Sequence, residues 1–176
     1  MVTNIELVRD FVNTLHKDRE GDEEQLTSPA ALSAWLEGRG LGRVRATALD
    51  LAEAVELREA LRLLLLANNE VEVDTGRAER VVDAAARRAR IELRFTDGPV
   101  LEPASGGLAG ALGRIVVAVQ AAVADGSWSR LKACRADDCE WAFVDHAKNQ
   151  SRAWCSMRSC GNRAKARAHR ERQRHL

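Results

Sequence analysis

Cys134, Cys139, Cys155 and Cys160 are the only cysteines in the 176-residue chain, and all stand near its C-terminal end. They read Cys-x4-Cys, fifteen residues, Cys-x4-Cys. Thiolates paired on short turns are a ligand pattern for tetrahedral zinc, and a fifteen-residue gap lets a hairpin return the second pair to the first. A redox pair would show Cys-x-x-Cys, which is absent, and disulfides are disfavoured in a reducing compartment. Four thiolates leave no open coordination position, so the expectation is one structural Zn2+ and no catalytic metal. His146 is a fifth candidate ligand, read here as a surface-loop residue. Between the pairs, Trp141 and Phe143 alternate with Glu140, Ala142 and Val144. That is a short strand whose aromatic face would cover the metal. A segment this small needs the metal cross-link for much of its stability.

The second pair leads directly into the most basic stretch. From Ser127 onward there are twelve Lys and Arg against five Asp and Glu; the preceding residues hold fifteen against twenty-one. Such a split within a chain of net charge +1 points to two jobs, with a polyanion as partner of the basic end. A helix is expected from Asn162 to about Arg172. Arg163, Arg167, Arg170 and Arg174 form one stripe, with Lys165, His169 and Arg172 roughly opposite. Arginine-rich faces neutralise phosphates and read guanine edges. Arg158, Asn162 and Arg163, beside the metal, are candidates for positioned nucleic-acid contacts. For Asn162 and Arg163 a second reading stands equally, in which they cap and brace the finger.

Apolar periodicity supplies the elements that must carry this module. Residues 4–16 read as an amphipathic helix with Ile5, Val8, Val12 and Leu15. Lys17 to Gln25 reads as a charged linker. Ser28-Pro29 starts a short helix ending at Gly38 or Gly40. Thr47 caps a long helix to about Ala67, whose Leu51, Ala54, Val55, Leu57, Leu61, Leu64 and Leu65 mark the centre of the core. Asn68-Asn69 closes it. Asp74 caps a fourth helix through Arg88. Ile91–Phe95, the turn Asp97-Gly98 and Pro99–Leu101 form a hairpin. Gly106–Val123 is a fifth helix, its glycines permitting close contact with a neighbour.

Asp10 and Asn13, three apart on the first helix, read as local capping braced against Arg58. The sharper reading makes Asp10, Asn13 and Arg58 a small ligand pocket. Enzyme signals are poor: Ser105-Gly-Gly-Leu-Ala-Gly110 lacks the Gly-Lys-Ser/Thr of a phosphate loop, and no zinc-protease or nucleophile-elbow motif occurs. His16 reads as a surface residue. The charged first ten residues do not suit a secretory leader, and the apolar runs Leu63–Ala67 and Ile115–Val119 are short of a membrane span. The expectation is a soluble cytoplasmic protein with no membrane partner and no catalytic residues. With 45% hydrophobic and 30% charged residues, the chain can bury a core.

The stretches "CRADDCEWAFVD" and "KNQSRAWCSMRSCGNRAKARAHRER", with the tetrapeptide Cys160-Gly161-Asn162-Arg163, resemble the CGNR zinc finger, a bacterial C-terminal module. "DFVNT" (Asp10–Thr14) and "LREALRLLLLAN" (Leu57–Asn68) resemble the ABATE domain that precedes it. The resemblance implies metal ligation by Cys134, Cys139, Cys155 and Cys160 in a stress-induced transcription regulator that binds nucleic acid, DNA rather than RNA. His146-Ala147 and Ala153 depart from the pattern at positions that bear on phosphate contacts and leave the metal site intact. The expected fold is α+β: a mostly helical domain with a small hairpin over 1–126, and a treble-clef-like zinc finger with a basic helix over 127–176. RNA binding and capture of an acidic protein are the rival functions. A homodimer and a small-molecule ligand of the N-terminal domain complete the expected partners.

Overall fold

The computed structural model describes residues 4–17, 21–95 and 98–174. Helix α1 spans Asn4–Val12, α2 Pro29–Gly38, α3 Ala48–Asn68, α4 Gly76–Ala89, α5 Gly107–Ala124 and α6 Asn162–Arg174. Among the described residues three two-stranded antiparallel ribbons accompany them: β1 (Leu15–His16) with β2 (Glu23–Glu24), β3 (Ile91–Arg94) with β4 (Val100–Pro103), and β5 (Leu131–Ala133) with β6 (Ala142–Val144). The architecture is α+β, as the sequence pattern indicates.

Thr47 starts α3 with a full capping box, donating to and accepting from Asp50. Ala54, Leu57, Leu61 and Leu65 are buried on this helix, while Leu51, Val55 and Leu64 are half-buried at its flanks. Val8, Phe11 and Val12 of α1 and Leu112 and Ile115 of α5 close the same core. Each such fully buried side chain contributes about 1.5–3 kcal/mol of transfer free energy. Helix α5 is long and apolar enough to cross a membrane by length and composition, but half of it is buried inside the protein. It packs on α1, α4 and β4. A Cβ on Gly113 would stand 2.4 Å from the Ala89 Cβ and 3.0 Å from Pro103, so glycine here lets α5 approach α4 and the hairpin.

Three local expectations are corrected. Helix α1 ends at Val12 rather than continuing through Leu15 to residue 16. The Thr14 hydroxyl donates to the Phe11 carbonyl (2.9 Å), a side-chain bond that competes with helix continuation, and Leu15–His16 then pairs with Glu23–Glu24. The segment read as a charged linker therefore holds a strand, although its residues 18–20 lie outside the described residues. Thr75, not Asp74, occupies the first position of the α4 cap; the Asp74 carboxylate accepts from the Gly76 N–H (2.9 Å). The expected hairpin forms with Leu93 facing Leu101 and its second strand over Val100–Pro103, while Asp97 of the expected turn lies outside the described residues.

The C-terminal segment does not hang from the helices by a thread. Leu131, Ala133 and Ala142 are buried in the same cluster as the leucines of α3. Asn68 donates to the Trp128 and Leu131 carbonyls (2.9 and 3.0 Å), and Asn69 to those of Ala133 and Ala153 (2.7 and 2.8 Å). Arg62, 2% exposed, donates to the Val12, Leu15 and Glu140 carbonyls. These bonds join the end of α1, the middle and end of α3, and the β5–β6 ribbon.

Candidate metal centre and nucleic-acid interface

The first knuckle leaves β5 at Cys134, whose N–H donates to the Trp141 carbonyl (3.0 Å). The Cys139 and Glu140 amides both donate to the Ala136 carbonyl (2.9 and 3.1 Å), which tightens the turn. Glu140 takes a left-handed backbone (φ 46°), uncommon outside glycine. Its carbonyl accepts from Arg62 (2.9 Å) and its carboxylate from Lys17 (2.5 Å), so the helical part holds this turn in place. The second knuckle is a single π-type turn over Met157–Gly161, capped by Ser156, whose hydroxyl accepts from the Ser159 amide (3.3 Å).

The two knuckles bring all four sulfurs within 4.8 Å of one another. Cys139 Sγ lies 3.5 Å from Cys155 Sγ, and Cys155 Sγ 3.7 Å from Cys160 Sγ. A disulfide requires about 2.05 Å. Sulfurs at the corners of a tetrahedron with Zn–S near 2.3 Å stand about 3.8 Å apart. The separations fit one zinc ion. Hydrogen bonds from Cys139 and then Cys155 pull Cys134 far down toward the thiolate. The same bond to Cys134 pushes Cys139 up to about 12, and hydrogen bonding to Cys134 and Cys139 pushes Cys155 up as well. Four thiolates cannot share so small a space unless a cation neutralises them. The protein has one structural zinc ion as cofactor.

The tetrapeptide Cys160-Gly161-Asn162-Arg163 carries the chain from the second knuckle into α6. Cys160 contributes its sulfur. A Cβ on Gly161 would meet Met157 Sδ at 2.7 Å and Trp154 Cδ1 at 3.2 Å; Met157 is half-exposed and can move, the indole less so. The Asn162 amide donates back to the Arg158 carbonyl (3.2 Å). Arg163 Nη2 donates to Cys160 Sγ (3.3 Å) and Asp138 (3.2 Å), and those two negative partners outweigh burial and raise its pKa. Asn162 and Arg163 are thus engaged within the finger. Arg167 is 3.7 Å from Asp137, so the first half of the anticipated stripe faces two aspartates of the first knuckle. Arg158, Lys165, His169, Arg170, Arg172 and Arg174 are exposed, with Glu171 the one exposed acid among the described residues of α6.

Phe143 is buried and Trp141 packs against the sulfur cluster, as the alternation suggested, and Trp154 packs there as well. His146 is an exposed loop residue outside the four-sulfur group. His16 is half-buried with its ring edge on Trp141 (4.7 Å between centroids), which corrects its surface reading. Asp10, Asn13 and Arg58 do not converge. Asp10 pairs with Arg9 and Arg39. Asn13 accepts from the Ala142 amide (2.8 Å) and donates to its carbonyl (2.9 Å). Arg58, 2% exposed, is held by Glu24, Glu59 and Thr14, so the anticipated brace between it and Asp10 or Asn13 does not form. The residues that sequence reasoning missed are Arg62 and the docking role of Asn13, Asn68 and Asn69. Two arginines four apart on the apolar face of α3 were the available signal for Arg62.

Four thiolates around a closed tetrahedron, with a cationic helix leaving the second knuckle, define a structural zinc finger joined to a helical domain. The CGNR zinc finger model matches residues 130–173. The ABATE family, described as "Putative stress-induced transcription regulator", matches residues 6–127. The chain belongs to the ABATE family and carries a CGNR zinc finger at its C-terminal end. No curated relative matches the chain.

Proposed function

We propose that this protein regulates transcription by binding duplex DNA through the zinc finger and α6. The division of labour assigns assembly or sensing to residues 1–126 and DNA contact to residues 127–176. Cys134, Cys139, Cys155 and Cys160 hold the metal, which sets the direction in which α6 leaves the finger. The observation that carries the reading is the exposed cationic surface of the second knuckle and the helix it anchors: Arg158 of the knuckle, with Lys165, Arg170, Arg172 and Arg174 of α6. Arg167 joins them when DNA competes with Asp137, across a 3.7 Å ion pair that solvent already weakens. Arg163 positions Cys160 and Asp138 rather than touching phosphate.

In isolation like charges crowd α6, and a phosphate backbone relieves that repulsion. Duplex is favoured over single-stranded RNA because the finger's aromatic rings pack against sulfur, which leaves no row of free rings on which splayed bases would stack. The test is a salt-series titration of zinc-loaded protein against labelled duplex DNA, with single-stranded RNA as competitor. Five or six neutralised phosphates give a log–log slope near about −5. Replacing Arg170, Arg172 and Arg174 together by Gln should lower that slope by about 2–3. An unchanged slope, or RNA displacing the duplex at equal concentration, would sink the proposal.

A further inference from the structure

A cleft of about 540 Å³ lies where the helical domain meets the finger. Small-molecule sites occupy roughly 300–1,000 Å³. One wall carries Arg9, Asp10 and Arg39, from α1 and the residue that follows α2; the other carries Trp141, Phe143 and Arg152 of the finger. None of the α6 residues proposed to meet DNA lines it.

Three guanidiniums, those of Arg9, Arg39 and Arg152, and one carboxylate, that of Asp10, line this cleft. Arg9 donates through Nε and Nη2 to one Asp10 oxygen (2.9 and 2.7 Å), and Arg39 Nη1 donates to the other. One carboxylate thus faces two guanidiniums, and Glu6, 4.0 Å from Arg9, is at the limit of an ion pair. Across the cleft Arg152 donates to the Trp154 carbonyl (2.9 Å) and the Cys155 carbonyl, with its guanidinium 4.8 Å from the Phe143 ring centroid. Carbonyls and a ring orient that cation beside Cys155 of the metal centre, which lines the same cleft. The Asp10 side chain already shows what the Arg9–Arg39 pair accepts. Guanidinium forks match the plane of a carboxylate, and each offers five donors, of which Asp10 takes two from Arg9 and one from Arg39. The half-buried Trp141 lines the same cleft and brings an aromatic side chain to it.

We propose that this cleft binds a small aromatic carboxylate, with the carboxylate at Arg9 and Arg39 and the ring against Trp141. Such a molecule spans both modules beside the clasp that Asn13 makes with Ala142. Its occupancy strengthens the hold of the helical domain on β6 and so biases how the finger is presented.

Calorimetry on the full-length zinc-loaded protein tests this, with benzoate as probe, benzamide as its neutral isostere and inorganic phosphate as a non-aromatic anion. Benzoate should bind with one-to-one stoichiometry, and benzamide and phosphate each at least about tenfold more weakly. Arg39→Gln should weaken benzoate by at least about tenfold. Arg43→Gln should change nothing, because that side chain is 89% exposed and does not line the cleft. Zinc content and helical circular dichroism check that each variant is folded. Absence of benzoate binding, equal binding of benzamide, or indifference to Arg39→Gln would overturn the site. Phosphate binding as tightly as benzoate would overturn the aromatic class. No DNA is present, so failure here leaves the DNA reading untouched.

Discussion

Around Leu61, apolar side chains from α1, α2, α3 and α5 exclude water; around Cys134 the buried cluster is three cysteines and Phe143, with the half-buried Cys155 packed against it. The first region gains stability from transferred apolar surface, spread over many residues. The second concentrates it in one coordination sphere. The seam between them joins apolar packing of Leu131, Ala133 and Ala142 on the helical core to a polar clasp. The clasp is a set of amides and one guanidinium from the helical domain, Asn13, Arg62, Asn68 and Asn69, donating to backbone carbonyls of the finger. Distributed packing tolerates a local defect, whereas a metal centre fails as a whole when one ligand goes. The seam decides how far either failure spreads.

The largest effect should come from the metal. Cys155→Ser should abolish bound zinc, where apparent binding free energies of structural zinc are on the order of 10 kcal/mol. Hydrogen exchange should then show residues 134–161 open while the amides of α3 and α5 stay protected. A retained one-to-one zinc content would break the contrast.

In the carbon core, Leu61→Ala should cost about 2–5 kcal/mol in urea denaturation and lower the stability of the whole chain. A loss under 1 kcal/mol would mean that α3 is not the centre. At the seam, Arg62→Met should cost about 3 kcal/mol, because it strands three carbonyls that lie in or beside buried structure. Exchange at Glu140 and Trp141 should rise with it; unchanged protection there would remove Arg62 from the docking of the finger.

Arg163→Gln should weaken zinc retention against a chelator by about 10–100-fold through loss of its bond to Cys160, with the fold kept. Unaltered chelator competition would return Arg163 to the list of phosphate contacts.

The smallest effect is a pH dependence. Burial opposes the charge of Glu59, but the neighbouring Arg62 and Arg58 prevail and hold its folded pKa below 4.5. A depressed carboxylate contributes stability that is present above its unfolded pKa and lost as pH falls through the folded value. The gap in urea midpoint between the wild type and Glu59→Gln should therefore be full at pH 6 and close below about pH 4.5. A constant gap would show that the ion pairs add nothing there.

Much of this was legible because it is local. The spacing of Cys134, Cys139, Cys155 and Cys160 announces two knuckles and a hairpin, since a short turn allows few ways to present two sulfurs to one ion. Ser28-Pro29 and Thr47 mark helix starts because a cap reaches only two or three residues ahead. Other local signals misled. Leu15 fits a helical repeat, yet Thr14 closes the helix with a bond that periodicity does not count.

What the sequence by itself determined is therefore the inventory: the zinc ligands, the positions of most helices and the basic character of α6. What only the tertiary structure decided is direction. Asn13 meets Ala142 across 129 residues, and Asn69 meets Ala153 across 84. Arg163 turns toward Cys160 and Asp138, while Lys165, two residues on, stays exposed. A long polar side chain can satisfy any carbonyl or carboxylate within reach, and its own neighbours in sequence do not specify which one the folded chain will bring there.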